Sequence, residues 1–173
     1  LRRRRGGSAC SCIAICDLER TEAIFVPIFL SICIVVLDQV VKFLVVHKMF
    51  PGMSLPIIQD VFHITFVLNP GAAFGILAHQ RSFFIVMGIV ILILVGVFSP
   101  YIRRQCGIFR WGVALLLGGA LGNLIDRVRI GHVIDFFDFR IWPVFNIADI
   151  AIVVGVAAII YAILFKMHPT EDA

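Results

Sequence analysis

The chain has 173 residues, of which 61% are hydrophobic, and its mean hydropathy is +1.04. Only 15% of the residues are charged, whereas a soluble domain keeps about a quarter of its residues charged. The polar surface is too small to cover a water-soluble globule, so the composition indicates one domain that uses lipid as its solvent. The formal net charge of +4 does not predict nucleic-acid binding, because basic residues beside apolar runs commonly set the orientation of membrane helices.

The N-terminal segment is basic and precedes the first long apolar run. It begins with four arginines at residues 2–5, and its apolar stretch CIAIC is too short for the core of a signal peptide. We therefore expect residues 1–22 to form a disordered or peripheral tail. Residues 23–168 would form the membrane domain, and residues 169–173 a C-terminal tail.

Four apolar segments follow, each near the length of about 20 residues that crosses a bilayer. They span residues 23–46, 81–101, 111–128 and 147–167. Arginines concentrate in the N-terminal tail and between the second and third segments, and such residues mark the cytoplasmic side of a membrane. The sequence therefore predicts four transmembrane helices with both termini in the cytoplasm. The loops at about residues 46–80 and 129–146 would face outward.

The first outer loop contains a strand-like pattern. Phe62, Ile64, Phe66 and Leu68 alternate with other side chains at a period of two, and residues 69–71 (Asn-Pro-Gly) then form a turn signal. We expect a short sheet on the membrane surface. The predicted fold class is thus an all-α integral membrane protein, with four transmembrane helices and a small extracytoplasmic β-cradle in the first outer loop.

Charged residues inside membrane spans are costly and commonly mark function. Asp38 and Lys42 lie four residues apart in the first span, so they share a helix face with the acid N-terminal to the base. The simplest interpretation of this pair is structural. In the third span, Asn123 shares a face with Asp126 and Arg127, which either form a capping pair at the interface or contribute to a site.

Two further aspartates follow near the outer boundary. Asp135 has apolar neighbours, and Asp149 begins the fourth span three residues after Asn146. Asp149 alone would be explained by the helix macrodipole. However, the topology places polar residues from every span and both outer loops at one level, and a single polar layer of this kind is typical of an active site.

The residue types in this layer favour carboxylate chemistry. The layer has no cysteine and no Ser-Lys or GxSxG pattern, and the five histidines show no HExxH spacing, so neither a nucleophilic site nor a metal site is predicted. Two aspartates at close range cannot both ionise, so one stays protonated while the other activates water without a cofactor. Asp135 and Asp149 are the best placed pair.

The sequence resembles the prolipoprotein signal peptidase family, also called signal peptidase II, from about residue 24 to residue 165. The resemblance rests on five motifs in order: DQVVK at 38–42, NPGAAFG at 69–75, GGALGNLIDR at 118–127, VIDF at 133–136 and FNIAD at 145–149. Pro70 departs from the family pattern, in which Thr or Arg is more usual, and the segment between the last two motifs is short.

The resemblance implies a role for each polar residue. Asp135 and Asp149 match the catalytic aspartates, although Asp126 is an alternative partner for Asp149. Positions that hold the substrate or shape the site are Asn69, Gly71, Asn123, Arg127 and Asn146. Asp38, Lys42 and Asp126 match residues of mainly structural role. We prefer Asp135 to Asp126 because Asn123 and Arg127 would keep Asp126 ionised.

The resemblance also implies the activity. The protein would be an aspartic endopeptidase of the bacterial inner membrane, monomeric and without a cofactor, with its site at the periplasmic face. Its substrates would be diacylglyceryl-modified prolipoproteins, cleaved just before the lipobox cysteine, and globomycin would inhibit it. Two alternatives are a small four-helix membrane transporter and a quinone-linked thiol oxidase. The first requires charges along a pore, and the second requires paired outer cysteines.

Overall fold

The structure is a computed structural model that describes the backbone of residues 8–71 and 80–166, and the side chains of residues 26–71 and 80–166. Five helices and three strands follow one another within these described ranges. They are α1 (Ser8–Lys48), β1 (Ser54–Ile58), β2 (Phe62–Asn69), α2 (Arg81–Val97), α3 (Ser99–Ile102), α4 (Gly107–Arg129), β3 (Val133–Asp138) and α5 (Ile147–Phe165).

Among the described residues, three helical segments are long and apolar enough to cross a membrane: Val26–Lys48, Gly107–Arg129 and Ile147–Phe165. Apolar side chains such as Phe29 and Val153 are about two-thirds exposed on their outer surfaces, at 68% and 67%. Large exposed apolar surfaces on long helices are expected where lipid is the solvent. The chain is a multi-pass membrane protein.

The observed helices differ from the predicted spans at two places. Helix α1 begins at Ser8, ahead of the predicted first span at residue 23, while residues 1–7 lie outside the described part. The second predicted span, residues 81–101, divides into α2 and α3, and α2 has only 17 residues. Pro100 is the second residue of α3, and a proline without an N–H donor cannot continue the hydrogen bonds of the preceding helix.

The three strands form one antiparallel sheet in the order β1-β2-β3. The predicted strand at residues 62–68 is confirmed as β2. The first outer loop supplies β1 and β2 of this sheet, and the third strand, β3, comes from the segment between α4 and α5. In the register of β2 and β3, Val67 pairs with Asp135 and Asn69 with Val133, so the sheet joins two distant motifs.

Helix α4 packs against α1, α2 and α5. Small residues allow its close approach to α5: a Cβ atom added at Gly112 would lie 2.8 Å from the Gly155 carbonyl oxygen. A Cβ at Gly119 would overlap the Ala148 carbonyl oxygen and lie 2.8 Å from Ile152 Cγ1. Small residues at membrane helix interfaces bring backbones close together in this way. The approach places the C-terminal half of α4 beside the N-terminus of α5, where the polar motifs meet.

A buried apolar cluster connects the end of α1 to the sheet. Its members are Val45, Met49, Phe66, Ile134 and Phe136. Phe136 is 1% exposed, and its neighbour in the chain is Asp135. Burial of these side chains therefore holds β3 against α1 and fixes the position of Asp135 over the helix ends.

Candidate active site at the end of the helix bundle

The N-terminus of α5 is closed by a reciprocal capping box between Asn146 and Asp149. Asn146 Oδ1 accepts a hydrogen bond from the Asp149 backbone N–H at 2.9 Å, and Asp149 Oδ2 accepts one from the Asn146 backbone N–H at 3.2 Å. A capping box satisfies backbone donors that a helix leaves unpaired at its start. The macrodipole explanation for Asp149 therefore holds locally, but the capping box uses only one carboxylate oxygen, and the second, Oδ1, faces Asn123 of α4.

The side-chain amide of Asn146 links Asp149's helix to the neighbouring motifs. Its Nδ2 donates to Asp135 Oδ1 at 2.7 Å and to Asn123 Oδ1 at 3.1 Å, and a third acceptor, the Ile134 carbonyl oxygen, lies at 3.3 Å. Asn146 is 0% exposed. An amide buried this completely must find protein partners, so its position fixes where Asp135 and Asn123 lie.

Asp135 lies in β3 with both carboxyl oxygens hydrogen-bonded. Oδ2 accepts from Asn69 Nδ2 at 2.8 Å, and Oδ1 accepts from Asn146. The residue is 1% exposed. The pKa of Asp135 is raised to about 7, first by burial of its carboxyl group and second by the negative charge of Asp149. The hydrogen bonds from the two asparagines oppose this rise. Near neutral pH the carboxyl group of Asp135 is therefore able to hold a proton.

Asn123, in α4, connects the aspartates to a buried charge cluster. Its Nδ2 donates to Asp149 Oδ1 at 2.8 Å, while its Oδ1 accepts from Lys42 Nζ at 3.1 Å. The Lys42 side chain also forms ion pairs with Asp38 at 2.8 Å and Asp126 at 2.7 Å. The predicted Asp38–Lys42 pair is confirmed. Because Lys42 donates to the carbonyl oxygen of Asn123, it fixes which end of that amide faces Asp149.

The prediction that Asp126 pairs with Asn123 and Arg127 was wrong. Asp126 is 4% exposed, binds Lys42, and accepts from Gln39 Nε2 at 2.9 Å and from the Ile134 backbone N–H at 3.3 Å. Its side chain turns toward α1, where an ammonium group is available. Asn123 and Arg127 share a helix face with Asp126 by their spacing in the sequence, but Asp126 binds Lys42 and Gln39 of the neighbouring helix α1.

Arg127 faces the loop that follows β2. Its Nη2 donates to the Gly71 carbonyl oxygen at 3.2 Å, and its guanidinium lies 4.5 Å from the ring centroid of Phe84 in α2. The Gly71 backbone N–H donates to Asn69 Oδ1 at 2.9 Å, which orients that amide toward Asp135. Arg127 therefore holds the turn that carries Asn69. The rest of the NPGAAFG motif, from residue 72 onward, lies outside the described residues.

A cavity of about 600 Å³ opens beside these groups. Its polar end is lined by Asn69, Gly71, Asn123, Arg127, Asp135 and Asp149. The remainder is apolar and includes Phe84, Met87, Ile91, Trp142 and Val153. A largely apolar cavity with a few convergent polar groups is the usual form of a binding or active site. The structure brings all five predicted site-shaping residues and both predicted catalytic aspartates to this region.

Residues 30–165 match the family model described as signal peptidase (SPase) II. Among curated relatives, the lipoprotein signal peptidase of Halothermothrix orenii is 50% identical over 139 residues, which cover 80% of this chain and 94% of that protein. The lipoprotein signal peptidase of Clostridioides difficile is 46% identical over 143 residues, covering 80% and 94%. The chain belongs to the signal peptidase II family. It is therefore a membrane peptidase, and neither the transporter nor the thiol oxidase alternative is favoured.

Solved structures agree with this assignment. A bacterial membrane enzyme solved by the in meso method at 2.3 Å resolution superimposes with a TM-score of 0.77 at 35% identity, covering 87% of this chain and 95% of that one. A second, at 1.9 Å resolution, gives a TM-score of 0.72 at 37% identity, covering 83% and 96%. The likeness extends over nearly the whole of both proteins.

Sequence reasoning did not identify two contributors to this site. Gln39 bridges α1 and α4, since its amide donates to Asp126 and also to the Gly122 carbonyl oxygen at 3.2 Å. Its position inside the DQVVK motif, next to Asp38, was the available signal. Phe84 lies under the Arg127 guanidinium, and no feature of its apolar segment distinguishes it from neighbouring phenylalanines.

The buried cluster gives a test of what positions Asn123. Replacing Lys42 with Met leaves Asp38 and Asp126 buried without their cation, and loss of one partner of a buried ion pair costs about 3–5 kcal/mol. We expect Lys42→Met to lower the free energy of unfolding in detergent by that amount. Arg140→Met is the matched control: Arg140 pairs with Asp138 at 3.0 Å, but its side chain is 50% exposed, so the loss should stay below about 1 kcal/mol. Equal losses in the two variants would contradict the structural role assigned to Lys42.

Proposed function

We propose that this protein removes the signal peptides of diacylglyceryl-modified prolipoproteins as an aspartic endopeptidase, with Asp135 and Asp149 as the catalytic pair. The family supports the activity, and the relatives named lipoprotein signal peptidase support the substrate class. The observation that carries the assignment of the residues is the Asn146 side chain. Its amide binds Asp135 while its carbonyl oxygen caps the helix turn that holds Asp149, at the polar end of an apolar cavity.

The two aspartates have unequal surroundings, which suits the two roles of an acid–base pair. Asp135 is buried with a pKa raised to about 7, so its carboxyl group is suited to donate a proton to the carbonyl oxygen of the scissile peptide bond. Asp149 is partly exposed to the cavity, so its carboxylate is suited to take a proton from the attacking water. Asp149 then returns that proton to the leaving amine as the tetrahedral intermediate breaks down. Asp135 recovers its own proton from the hydroxyl group that becomes the carbonyl oxygen of the product. No cofactor or metal takes part.

Asp126 is the weaker candidate because its oxygens are already engaged. Lys42, Gln39 and a backbone N–H use its acceptor positions, and it does not contribute to the lining of the cavity. A carboxylate whose oxygens are occupied by a buried ammonium and an amide has no direct route to substrate. We assign Asp38, Lys42 and Asp126 a structural role.

The cavity suggests how a lipidated precursor is held. Its apolar walls are suited to the apolar signal peptide and to the acyl chains on the lipobox cysteine, and cleavage would fall just before that cysteine. Asn69, Gly71, Asn123 and Arg127 surround the aspartates and offer groups that can orient the peptide. Globomycin, which the family resemblance implies as an inhibitor, would occupy the same cavity. The active unit is a monomer.

We further propose four membrane-spanning helices, with α2 as the short fourth span, in the bacterial inner membrane. The peptidase domain comprises residues 23–168, with residues 1–22 and 169–173 as tails. Arg103, Arg104 and Arg110 support a cytoplasmic location for the loop before α4. Because α4 then runs outward, the polar end of the cavity lies at the periplasmic face and both termini lie in the cytoplasm.

The catalytic pair is tested by single-turnover cleavage of a lipidated precursor. Asp135→Asn and Asp149→Asn should each lower the rate by at least about a thousandfold, and the double variant should be no worse, because residues that act as one unit do not lose rate additively. Binding of precursor or globomycin should survive, since binding is assigned to Asn69, Gly71, Asn123 and Arg127. Asp126→Asn, the control, should lose stability or affinity more than the chemical step. A folded but inactive Asp126→Asn beside a nearly normal Asp135→Asn would assign the pair to Asp126 and Asp149.

The orientation is tested with reporters fused after Ala173 and within the loop at Arg103. Both should report the cytoplasm, because the arginines of the tail and of that loop lie on the same side of the membrane. A third reporter in the 50–60 segment should report the periplasm. An external signal from either of the first two would place the site on the wrong side and contradict the proposal.

A further inference from the structure

A second cavity lies far from the aspartates, where α1, α2, α3 and α4 meet. It has a volume of about 280 Å³. At about 1.5 Å of rise per residue, Arg110 lies about 20 Å along α4 from Asn123, so this cavity is at the opposite end of the bundle. Its walls include Pro27, Ile28, Val95, Ala114 and Leu117, and Arg103 and Arg110 lie at its rim.

The two arginines of the second cavity lie in a part of the sequence that has no acidic residue. Among the residues that the structure describes, no carboxylate forms an ion pair with either guanidinium, and no Asp or Glu occurs in the sequence from residue 61 to residue 125. Arg103 Nε donates to the Ser99 carbonyl oxygen at 3.1 Å, which leaves its terminal nitrogens available. Guanidinium groups are suited to bind phosphate through paired hydrogen bonds.

The start of α4 adds a second positive feature at the same place. Its N-cap residue, Cys106, makes no side-chain capping bond, and the first turn has no acidic residue. The unpaired backbone N–H groups of a helix N-terminus favour a negatively charged ligand, and Arg110 lies within this turn. Positive charge from two side chains and one helix end therefore converges at the rim of an apolar groove.

We propose that this cavity binds an anionic phospholipid, with the phosphate diester at Arg103 and Arg110 and the start of an acyl chain against Val95, Ala114 and Leu117. A zwitterionic lipid has the same acyl chains, but its headgroup brings a positive charge to a site that already has two guanidinium groups. Basic pockets between membrane helices select anionic headgroups for this reason. The partly exposed Ile28 leaves the cavity continuous with the lipid-facing surface. This site is independent of the catalytic assignment.

Native mass spectrometry of the full chain in detergent, with dioleoyl phosphatidylglycerol or dioleoyl phosphatidylcholine added at equal amounts, tests the proposal. Phosphatidylglycerol should bind preferentially, and Arg103→Gln with Arg110→Gln should weaken it at least about tenfold, while the matched exposed control Arg104→Gln should not. Val95→Trp keeps both arginines but fills the apolar groove, so it should weaken binding as well. Cleavage activity should remain in all of these variants.

Four results would overturn the proposal. Equal binding of the two lipids would show that the headgroup is not selected. A loss of binding in Arg104→Gln equal to that of the double arginine variant would show that general surface charge attracts the lipid. Unchanged binding in Val95→Trp would show that the apolar groove does not hold the lipid. Competition by soluble glycerol phosphate at concentrations equal to the lipid would show an anion site without a lipid requirement. If the double arginine variant does not fold, Val95→Trp alone decides the outcome.

Discussion

The ammonium group of Lys42 is buried between the helices of the bundle, and much of the site is arranged around it. Two carboxylates, Asp38 and Asp126, bind it from α1 and α4, and Asp38 Oδ1 also accepts the Ala148 backbone N–H of α5 at 3.0 Å. A charge at this depth is tolerated only when paired and hydrogen-bonded. The need to satisfy it therefore draws three helices together, and Lys42's remaining donor orients Asn123.

Side-chain amides make the direct hydrogen bonds that connect this charge cluster to the aspartates. An asparagine has both a donor and an acceptor end, so it can transmit orientation without adding charge. Asn123 accepts from Lys42 and donates to Asp149, and Asn146 donates to Asp135 while its oxygen caps α5. The ammonium group of Lys42 is thus connected to the aspartates through amides and not by a direct ion pair, and Asp135 can hold a proton, as an acid–base pair requires.

The local elements of this fold were predictable because they follow local patterns. The period-two alternation of residues 62–68 predicted β2, and the apolar lengths predicted most of α1, α4 and α5. The spacing of Asp38 and Lys42 predicted an ion pair that the structure contains. The resemblance to signal peptidase II, carried by five ordered motifs, predicted the family. Each of these signals depends on residues that are close in sequence or on a complete motif.

Long-range pairing was not predictable in the same way. The third strand of the sheet comes from a segment whose VIDFF sequence has no alternation, since β3 is buried on both faces. The partner of Asp126 was predicted from helix spacing, but Lys42 lies 84 residues away and outcompetes the neighbours in α4. The assignment of Asp135 over Asp126 rested on that wrong partner, yet the preference itself is supported by different contacts. Whether Asp135 and Asp149 are catalytic stays a prediction.

The central claim is that Asp135 holds a proton near neutral pH because it is buried beside Asp149. Infrared spectroscopy of the purified protein, with aspartate carboxyl groups labelled by carbon-13, measures this directly. We expect a carboxylic acid band that is lost as the pH rises through about 7 and is absent in Asp135→Asn. In Asp149→Asn the band should titrate at lower pH, because the neighbouring charge that raises the pKa is gone. A band that persists in Asp135→Asn and disappears in Asp126→Asn would contradict the account.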